Sequence, residues 1–367
     1  MKVGLLEVCS KNHYVLLEAW IKVLHKLDIE AILYISEDVN ELVDKKLKIQ
    51  KIIKKKNMSI KNFLKKVNNE NIDHLIITSL QSHMFDFYLY FNPKYTFSLT
   101  VHNAATWFEG NQLNSIKNIV KRIIRNKFLN KAQNYFVSSE NMKEYVESLD
   151  KNFEKNIYNM PFMLFEPKNI GLRNTNRIKK IVYPGLISAA RKKYETFFML
   201  AKKYPDIEFV LLGAPSNNPK ERSLEVIEKI KKLDYNNIKY FETYLSAEEY
   251  TKEFNNADFI FSELSIEFKK EDYREVYGMS KDTGISYLMI KNCIPLIVNS
   301  DFTNLKSLNS STLYFNSLTE LDSYIEVYNE DEKYNDLLYN TIQLSNLFTA
   351  ETVANNLKEK GFLNEIK

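Results

Sequence analysis

The sequence predicts an α/β protein made of two doubly wound parallel-sheet domains in tandem. Short apolar runs alternate with segments whose apolar residues recur at helical spacing. Runs such as His74–Thr78 are apolar without alternation, which is typical of strands that helices cover on both faces. The pattern stops at Met160–Arg177, which contains two prolines, a glycine and several asparagines, and then resumes. We therefore predict a linker there.

Residues 1–165 form the first predicted domain. Its predicted strands are Val3–Val8, Ala31–Ile35, His74–Thr78, Thr96–Val101 and Tyr135–Val137. Its predicted helices are Tyr14–Leu27, Ile60–Val67, Met84–Phe91 and Leu113–Leu129.

Residues 166–345 form the second predicted domain, and a helical segment near Leu337–Lys360 ends the chain. The predicted strands are Ile181–Tyr183, Glu208–Leu212, Ile238–Phe241, Asp258–Phe261, Ile294–Val298 and Thr312–Phe315. The predicted helices are Lys192–Tyr204, Leu224–Leu233, Ala247–Asn255 and Ile285–Lys291. Ligands of such sheets bind beyond the carboxyl ends of the strands, so we expect the functional residues there, in a cleft between the domains.

Composition excludes several classes of protein. With 367 residues, 44% of them hydrophobic, the chain can form a substantial core, and eight Gly and eight Pro exclude collagen-like or low-complexity arrays. Its two cysteines, Cys9 and Cys293, are too few for a disulfide framework or a cysteine-based zinc site. The N-terminus lacks the features of a signal peptide, and no apolar run approaches bilayer length. We therefore expect a cytoplasmic protein.

Common cofactor and nucleophile motifs are missing. The sequence has no G-x-G-x-x-G, no G-x-x-x-x-G-K-[ST] and no G-x-S-x-G. No two aspartates are separated by one residue, and no pair of histidines has metal-ligand spacing. These absences disfavour NAD-dependent oxidoreductases and P-loop NTPases, and we expect neither a metal nor a cofactor.

The turn after strand Ile181–Tyr183 is a candidate phosphate site. Gly185 ends the strand, and Arg191 and Lys192 lie where the next helix is predicted to begin. Free N–H groups at a helix N-terminus and two adjacent cations suit a diphosphate. An ordinary solvated basic turn is the alternative.

A glycine-rich loop before the helix at Ile285 is a second candidate. Gly278 and Gly284 allow close approach of the backbone to a ligand, and Thr283 suits the helix N-cap. Ser280, Lys281, Thr283 and the first N–H groups of the helix could then hold phosphate oxygens. A well-capped surface turn is the alternative.

Polar residues follow two strands of the first domain. His102 comes directly after Thr96–Val101, so it points into the predicted cleft, although a lone histidine is more often structural. Ser10, Asn12 and His13 follow the first strand, and together with Asn103 they are candidates for contacts with an acceptor.

Four stretches in sequence order resemble retaining glycosyltransferases of the GT-B fold, of the glycosyltransferase family 4 type. Tyr183–Pro215 looks like the diphosphate-binding start of that family's second domain, and Asn236–Phe261 like its base-binding strand, loop and helix. Ser98–Phe108 resembles the strand that ends in a histidine near the reacting sugar, and Asn134–Val146 the last strand and helix of the first domain. Residues 346–367 are then expected to cross back to the first domain.

The resemblance assigns roles to individual residues. It implies that Arg191, Lys192 and Gly213 contact the donor, that Tyr244 flanks its base, and that His102 takes part in catalysis. The family's Glu-x7-Glu signature falls on Ser280 and Leu288, so Asp282 is the candidate to replace the missing glutamate. Further departures are that Leu186 stands where the family has Arg, and Lys193 where it has Gly. A pair with the right spacing, Glu267 and Glu275, lies too far upstream to match the family.

We therefore predict a hexosyltransferase-type glycosyltransferase that uses a nucleotide sugar without a metal. The acceptor would be a glycan, a lipid-linked or a protein-linked sugar, and retention of anomeric configuration is implied by the resemblance alone. Two alternatives stay open: a non-catalytic GT-B-like partner protein that binds nucleotide or glycan, and a nucleotide-sugar epimerase of the same fold.

Charge is distributed unevenly. Residues 1–165 carry 24 Lys and Arg against 17 Asp and Glu, while residues 166–367 carry 27 against 30. Lys45–Lys66 holds ten lysines and no acid, and Asn111–Lys131 holds six cations and no acid. These segments predict contact with an anionic membrane surface and a peripheral location at the inner face of the membrane. The alternative is that Ile116, Ile119, Val120, Ile123 and Ile124 pack on the sheet. No nucleic acid partner is expected.

Overall fold

A computed structural model of the chain describes residues 1–110, 115–149, 155–167, 170–173, 177–270 and 273–366, without the side chains of residues 247, 268–270 and 273. The chain divides into two compact units. The first unit is Met1–Phe165, Lys269–Asp282 and Leu347–Lys367, and the second unit is Glu166–Phe268 and Thr283–Asn346.

The first unit contains a seven-stranded parallel sheet in the order β3-β2-β1-β4-β5-β6-β7. Its strands are β1 (Lys2–Glu7), β2 (Glu30–Ser36), β3 (Gln50–Lys54), β4 (His74–Ile77), β5 (Thr96–Thr100), β6 (Tyr135–Val137) and β7 (Ile157–Asn159). Its helices are α1 (Tyr14–Lys26), α2 (Glu37–Asn40), α3 (Ile60–Asn68), α4 (Met84–Tyr90), α5 (Ala104–Phe108), α6 (Ile116–Lys131), α7 (Glu140–Leu149), α14 (Ala350–Glu359) and α15 (Phe362–Glu365).

Apolar side chains cover both faces of this sheet. Successive residues of a strand point to opposite faces, and Leu5 and Leu6 of β1 accordingly belong to different buried clusters. Leu5 shares its cluster with Trp20 of α1, whereas Leu6 shares the other with Phe63 of α3. Serine side chains fix the starts of three of these helices, since Ser36, Ser59 and Ser115 each accept a hydrogen bond from a backbone N–H of the first turn.

The second unit contains a six-stranded parallel sheet in the order β10-β9-β8-β11-β14-β15. Its strands are β8 (Lys180–Pro184), β9 (Glu208–Leu212), β10 (Ile238–Tyr240), β11 (Phe259–Ser262), β14 (Leu296–Asn299) and β15 (Thr312–Phe315). Its helices are α8 (Glu195–Lys203), α9 (Ser223–Leu233), α10 (Ala247–Phe254), α11 (Gly284–Asn292), α12 (Leu318–Tyr328) and α13 (Asp331–Ser345). Because β8, β9 and β10 are neighbours and parallel, the turns that follow them leave one edge of the sheet.

The predicted strands are all present, with ends that differ by one or two residues. Among the elements named above, the sequence analysis missed two strands, β3 and β7, and four helices, α2, α5, α12 and α15. The single helix predicted near Leu337–Lys360 is wrong: α13 ends at Ser345, a short 3₁₀ turn follows, and the Thr349 side chain caps α14. The predicted helix Leu113–Leu129 begins at Ile116, and residues 113 and 114 lie outside the described residues.

One segment departs from the predicted domain ranges. Lys269–Asp282 lies within the range predicted for the second domain, but it belongs to the first unit. Leu347–Lys367 also belongs to the first unit, to which residues 346–367 were expected to return. The segment includes β13 (Tyr273–Val276), which pairs with β12 (Glu267–Lys270) in a small two-stranded sheet. The predicted linker Met160–Arg177 contains residues 168, 169 and 174–176, which lie outside the described residues.

Candidate functional site

Two glycines bring the turns after β8 and β9 into backbone contact. Gly185 has a φ of +92°, in the region that glycine favours, and its N–H donates to the carbonyl of Leu212 at 2.9 Å. A β-carbon on Gly213 would lie 2.3 Å from the carbonyl oxygen of Gly185. Both positions therefore require glycine, and this edge of the sheet presents bare backbone beside the two cations.

Lys192 is folded back onto the end of β8. Its Nζ donates a hydrogen bond to the carbonyl oxygen of Pro184 at 2.7 Å and lies 4.8 Å from the ring centroid of Tyr183. Burial and, to a smaller extent, the neighbouring charge of Arg191 together lower the pKa of Lys192 to about 7. An anion bound at this turn would raise the pKa of Lys192 again and keep its amino group protonated. The side chain is therefore suited to bind a phosphate.

Arg191 forms an ion pair that the sequence analysis did not predict. Its Nε donates to Oε2 of Glu221 at 3.0 Å, and the hydroxyl of Ser188 donates to the same oxygen. The Arg191 side chain is 39% exposed. No hydrogen bond of its Nη groups occurs within the described part of the chain, so these groups can still bind a ligand.

Helix α8 begins later than predicted. We expected Arg191 and Lys192 at its N-terminus, but the first helical residue is Glu195 and the N-cap is Tyr194, without a side-chain hydrogen bond. The two cations instead belong to the preceding turn, where the N–H of Lys192 donates to the carbonyl of Ser188 at 3.0 Å. The positive charges of Arg191 and Lys192 therefore lie on the turn before α8 and not at the start of the helix.

Tyr244 lies in the loop after β10, and its side chain is 76% exposed. It therefore follows the third of three neighbouring strands, and the loops carrying Gly185 and Gly213 follow the other two. A nucleobase contact by Tyr244 stays a prediction. Ser246 closes this loop through a capping box with Glu249 at the start of α10.

The predicted phosphate loop of residues 278–284 is divided between the two units. Gly278 through Asp282 belong to the first unit, and Thr283 begins the second. Thr283 caps α11 by accepting a hydrogen bond from the N–H of Ile285 at 3.3 Å, as predicted, although the helix begins one residue earlier, at Gly284. No atom lies within 4 Å of the position of a β-carbon on Gly284, so that glycine is not required by packing.

The polar groups on the first-unit side of this loop are engaged by neighbours. Lys281 Nζ donates to the Asn103 side chain, and Asp282 Oδ1 accepts from the Ser139 hydroxyl at 2.8 Å. The carbonyl of Gly278, which has a φ of +81°, accepts from Asn141 Nδ2 at 2.9 Å. Lys281, Asp282 and Asn103 therefore all belong to the first unit, whereas Arg191 and Lys192 belong to the second.

Glu275 is the reason that this segment belongs to the first unit. Its side chain is fully buried and accepts hydrogen bonds from the N–H of Thr106 at 2.9 Å, the N–H of Ala105 at 3.3 Å and the Thr106 hydroxyl. The hydroxyl of Ser280, which is also fully buried, donates to it at 2.7 Å. Glu275 therefore closes the N-terminus of α5, where a carboxylate also meets the favourable helix dipole.

A second buried carboxylate, Glu7, ends β1 and organises the loop after it. It accepts from the N–H groups of Cys9 and Ser10 and from the hydroxyl of Ser79, at 2.7–2.9 Å. His13 Nδ1 lies 3.0 Å from Oε2 of Glu7. Burial raises the pKa of Glu7, but the hydrogen bonds and charge of His13, together with those other donors, leave it below the ordinary value.

His102 lies against His13, with 4.4 Å between the ring centroids. Its Nε2 lies 2.7 Å from the carbonyl oxygen of Thr78, and because a carbonyl only accepts, Nε2 carries the proton. Burial lowers the pKa of His102 to about 3, with a smaller contribution from His13. The imidazole is therefore neutral at pH 7, and its Nδ1 is a hydrogen-bond acceptor.

The remaining acceptor-side candidates differ in their surroundings. Ser10 gives its backbone N–H to Glu7, and its side chain does not cap the short 3₁₀ turn that follows. Asn12 is exposed, whereas Asn103 is half-buried beside Lys281. The structure thus brings His13 and His102 together, and Asn103 and Lys281 together.

Three functional carboxylates were missed. Glu7 could have been found, because it is the last residue of an otherwise apolar strand, KVGLLE. Glu275 was not taken as a site residue because the Glu267 and Glu275 pair, although correctly spaced, lies too far upstream to match the family signature. Glu221 lies in a turn that the sequence does not distinguish from other polar turns. Each of the three has at least one hydrogen-bond partner that is remote in sequence: Ser79 for Glu7, Thr106 for Glu275 and Arg191 for Glu221.

The basic segments keep most of their charge at the surface. Lys45–Lys66 contains the half-buried edge strand β3 and the start of α3. Asn111–Lys131 is α6 together with residues 111–114, which lie outside the described residues, and residue 115. Within the described ranges, no helix is both long and apolar enough to cross a bilayer.

The fold matches solved structures over nearly the whole chain. A glycosyltransferase from Rickettsia africae has a TM-score of 0.64 and 16% sequence identity, over 100% of this chain and 98% of that one. The Anabaena protein HepE, solved with UDP and glucose, has a TM-score of 0.66 and 12% identity, over 98% and 99%. The pneumococcal O-GlcNAc transferase GtfA, solved with UDP and GlcNAc, has a TM-score of 0.63 and 9% identity, over 100% and 99%.

The two parallel sheets and these neighbours identify the architecture as the GT-B fold, which confirms the predicted fold class. The chain matches no protein-family model and no curated protein sequence.

Proposed function

We propose that the protein is a glycosyltransferase that takes a sugar from a nucleotide-diphosphate donor without a metal ion. The observation that carries this proposal is the Lys192 turn: a half-buried cation with a pKa near 7, beside Arg191 and the paired glycines Gly185 and Gly213. The neighbours HepE and GtfA were solved with UDP, and this supports a uridine nucleotide as the first donor to test.

The donor diphosphate would bind to the turn after β8. Arg191 would bind phosphate oxygens through its Nη groups, since its Nε is already paired with Glu221. Lys192 would release the carbonyl of Pro184 and take up a proton. When the bond between the sugar and the diphosphate breaks, these cations would stabilise the leaving group, the role that a metal plays in other transferases.

The sugar would meet His102. A neutral imidazole whose Nε2–H is held by Thr78 offers Nδ1 to a sugar hydroxyl. Its fixed tautomer and the packing of His13 orient the ring. The acceptor, a glycan or a lipid-linked or protein-linked sugar, would lie on the first unit, near Ser10, Asn12, His13 and Asn103.

Binding without turnover is a second candidate function, and one observation favours it. Asp282, the candidate to replace the missing glutamate, and Glu275 both accept hydrogen bonds from within the first unit. If neither can contact a sugar, the protein would bind a nucleotide and support a partner.

A thermal-shift screen against UDP-, GDP-, CMP- and dTDP-sugars tests the donor class. A ligand at a hundredfold excess over its Kd stabilises the fold by about 2.7 kcal/mol. We expect a shift with one nucleotide family that EDTA does not change. A shift that EDTA abolishes contradicts metal independence, and no shift with any nucleotide sugar contradicts the proposal.

Turnover separates the two candidate functions. A transferase releases the free nucleoside diphosphate from the donor when an acceptor is present, whereas a binding protein leaves the donor intact. The anomeric configuration of the product, read by NMR, then tests retention.

A further inference from the structure

Helix α6 exposes its most apolar face. Ile116 is 82% exposed, Ile119 42%, Val120 40% and Ile123 53%. These positions are three or four residues apart and therefore share one side of the helix. The buried residues of α6 are Asn118, Ile124, Arg125 and Phe128. An exposed stripe of four β-branched aliphatic residues is unusual, because such residues are normally buried.

The buried side of α6 explains why the stripe cannot turn inward. Arg125 is buried, donates to the carbonyl of Thr106 at 3.2 Å and lies 5.9 Å from the ring centroid of Trp107. Phe128 packs on Phe87 of α4 and Phe97 of β5. Rotating the helix would break these contacts, so the alternative from the sequence, that the stripe packs on the sheet, is wrong for the four exposed residues.

Cations surround and extend the same face. Lys127 and Lys131 follow Ile123 at intervals of four residues, and Lys117 and Arg122 flank the stripe and are exposed. No acid occurs between Ile116 and Lys131. Lys127 Nζ is held at the carbonyl of Tyr88 at 2.7 Å, and burial together with the charge of Lys131 lowers its pKa. The face thus combines apolar side chains with a concentrated positive charge.

Helix α4, which packs against α6, adds two further apolar side chains. Phe85 is 59% exposed and Leu89 is 49% exposed, and they lie four residues apart. The one acid of α4 is Asp86, whose carboxylate lies 3.8 Å from Nδ1 of His83. The neighbouring helices α4 and α6 therefore both expose apolar side chains.

We propose that this face, defined by Ile116, Ile119, Val120, Ile123, Phe85 and Leu89, docks on a lipid bilayer that contains anionic lipids. The aliphatic and aromatic side chains would enter the interface, and the lysines would meet lipid phosphates. A second copy of this chain fits less well, because its identical cations would face these cations across the contact. The proposal does not depend on the transferase assignment, since vesicle binding is measured without turnover.

Vesicle flotation tests the docking face. The full chain is mixed with vesicles of phosphatidylcholine and phosphatidylglycerol in equal parts, or of phosphatidylcholine alone. We expect binding to the anionic vesicles, a decrease of at least about tenfold in the partition coefficient for Ile119→Ser/Ile123→Ser, and a similar decrease for Lys117→Gln/Lys131→Gln. Met199→Ser/Leu224→Ser, which replaces two residues of the second unit that are 51% and 71% exposed, is the matched control and should bind like wild type.

Three outcomes would overturn the proposal: no binding to anionic vesicles, equal binding of the isoleucine variant and its control, or equal binding to neutral and anionic vesicles. Light scattering in the absence of lipid tests a fourth outcome. If wild type is a dimer and the isoleucine variant is a monomer, a second copy of the chain covers the face and the proposal is wrong. The far-UV circular dichroism spectra and the thermal unfolding midpoints of the same variants should match those of wild type, which shows that they fold.

Discussion

The ammonium group of Lys192 occupies the space that the missing side chain of Gly185 leaves open. A β-carbon on Gly185 would lie 3.2 Å from Lys192 Nζ, and the same ammonium donates to the carbonyl of Pro184 at 2.7 Å. A charged side chain is thus held against backbone that carries no side chain of its own. The turn therefore needs a glycine at position 185, because a side chain there would crowd the charged group of Lys192.

Gly213→Ala should remove the donor site. The new β-carbon would lie 2.3 Å from the carbonyl oxygen of Gly185, so backbone must move at both turns. We expect a loss of stability of about 1–3 kcal/mol in urea unfolding and a loss of nucleotide-sugar affinity. Gly171→Ala, whose β-carbon would meet no atom within 4 Å and which lies outside the candidate site, is the control and should change neither by much. Normal affinity in Gly213→Ala would mean that these turns do not contact the donor.

Nucleotide-sugar affinity should depend on pH through Lys192. The folded protein holds the pKa of this lysine at about 7, below its ordinary value, and a bound diphosphate favours the charged form. Affinity should therefore be constant below pH 7 and fall as pH rises above it, by up to about tenfold per pH unit. A UDP-sugar is the appropriate ligand, because it lacks the terminal phosphate that titrates in UDP itself.

Calorimetry in two buffers of different ionisation enthalpy checks this directly. At a pH above 7, binding to wild type should take up a proton. Lys192→Arg keeps its charge over this range, so its binding should take up none. Equal proton uptake by wild type and Lys192→Arg would assign the titration to another group.

Substitution of Glu275 should destabilise the first unit. Its buried carboxylate accepts four hydrogen bonds, so Glu275→Ala leaves the N–H groups of Ala105 and Thr106 without an acceptor. We expect a loss of about 3 kcal/mol in the free energy of unfolding. Glu41→Gln, at an exposed position of the same unit, should change it by less than about 0.5 kcal/mol. A small effect of Glu275→Ala would show that Lys269–Asp282 is not held in the first unit by this carboxylate.

His102→Ala should lower turnover while leaving the donor site intact. Loss of a group that binds a sugar hydroxyl or transfers a proton costs about a hundredfold or more in kcat, whereas nucleotide affinity depends on the second unit. The rate of wild type should not titrate near the ordinary histidine pKa, because burial keeps that of His102 at about 3. His25→Ala, at an exposed position of α1, is the control. Unchanged turnover in His102→Ala would remove it from the catalytic site.

Periodicity predicted the sheets well because doubly covered strands are apolar throughout. It missed β3, QKIIK, because this edge strand is only half-buried and lies within a run of lysines. It missed β7 because three residues carry little pattern. The helical pattern of α6 was found, but not which face is buried, since that is decided by Arg125 and its partners on α5.

The candidate site was predictable only in part. Glycines and cations after strands β8 and β9 identified the turn with Gly185, Lys192 and Gly213. The separation of Asp282 from Thr283 into different units was not predictable, because it depends on the pairing of Glu275 with α5, more than 160 residues away in sequence. The Glu221 partner of Arg191 also comes from a remote turn.

The most direct test of the donor site is a calorimetric titration of UDP-glucose and UDP-N-acetylglucosamine into wild type, Lys192→Ala and Lys193→Ala. Lys193 is the exposed neighbour of Lys192, so the two variants remove the same charge one residue apart. We predict binding to wild type, a decrease of at least about tenfold in affinity for Lys192→Ala, and wild-type affinity for Lys193→Ala. Equal affinities of the two variants, or no binding of either nucleotide sugar to wild type, would contradict a uridine-nucleotide donor site at the Lys192 turn.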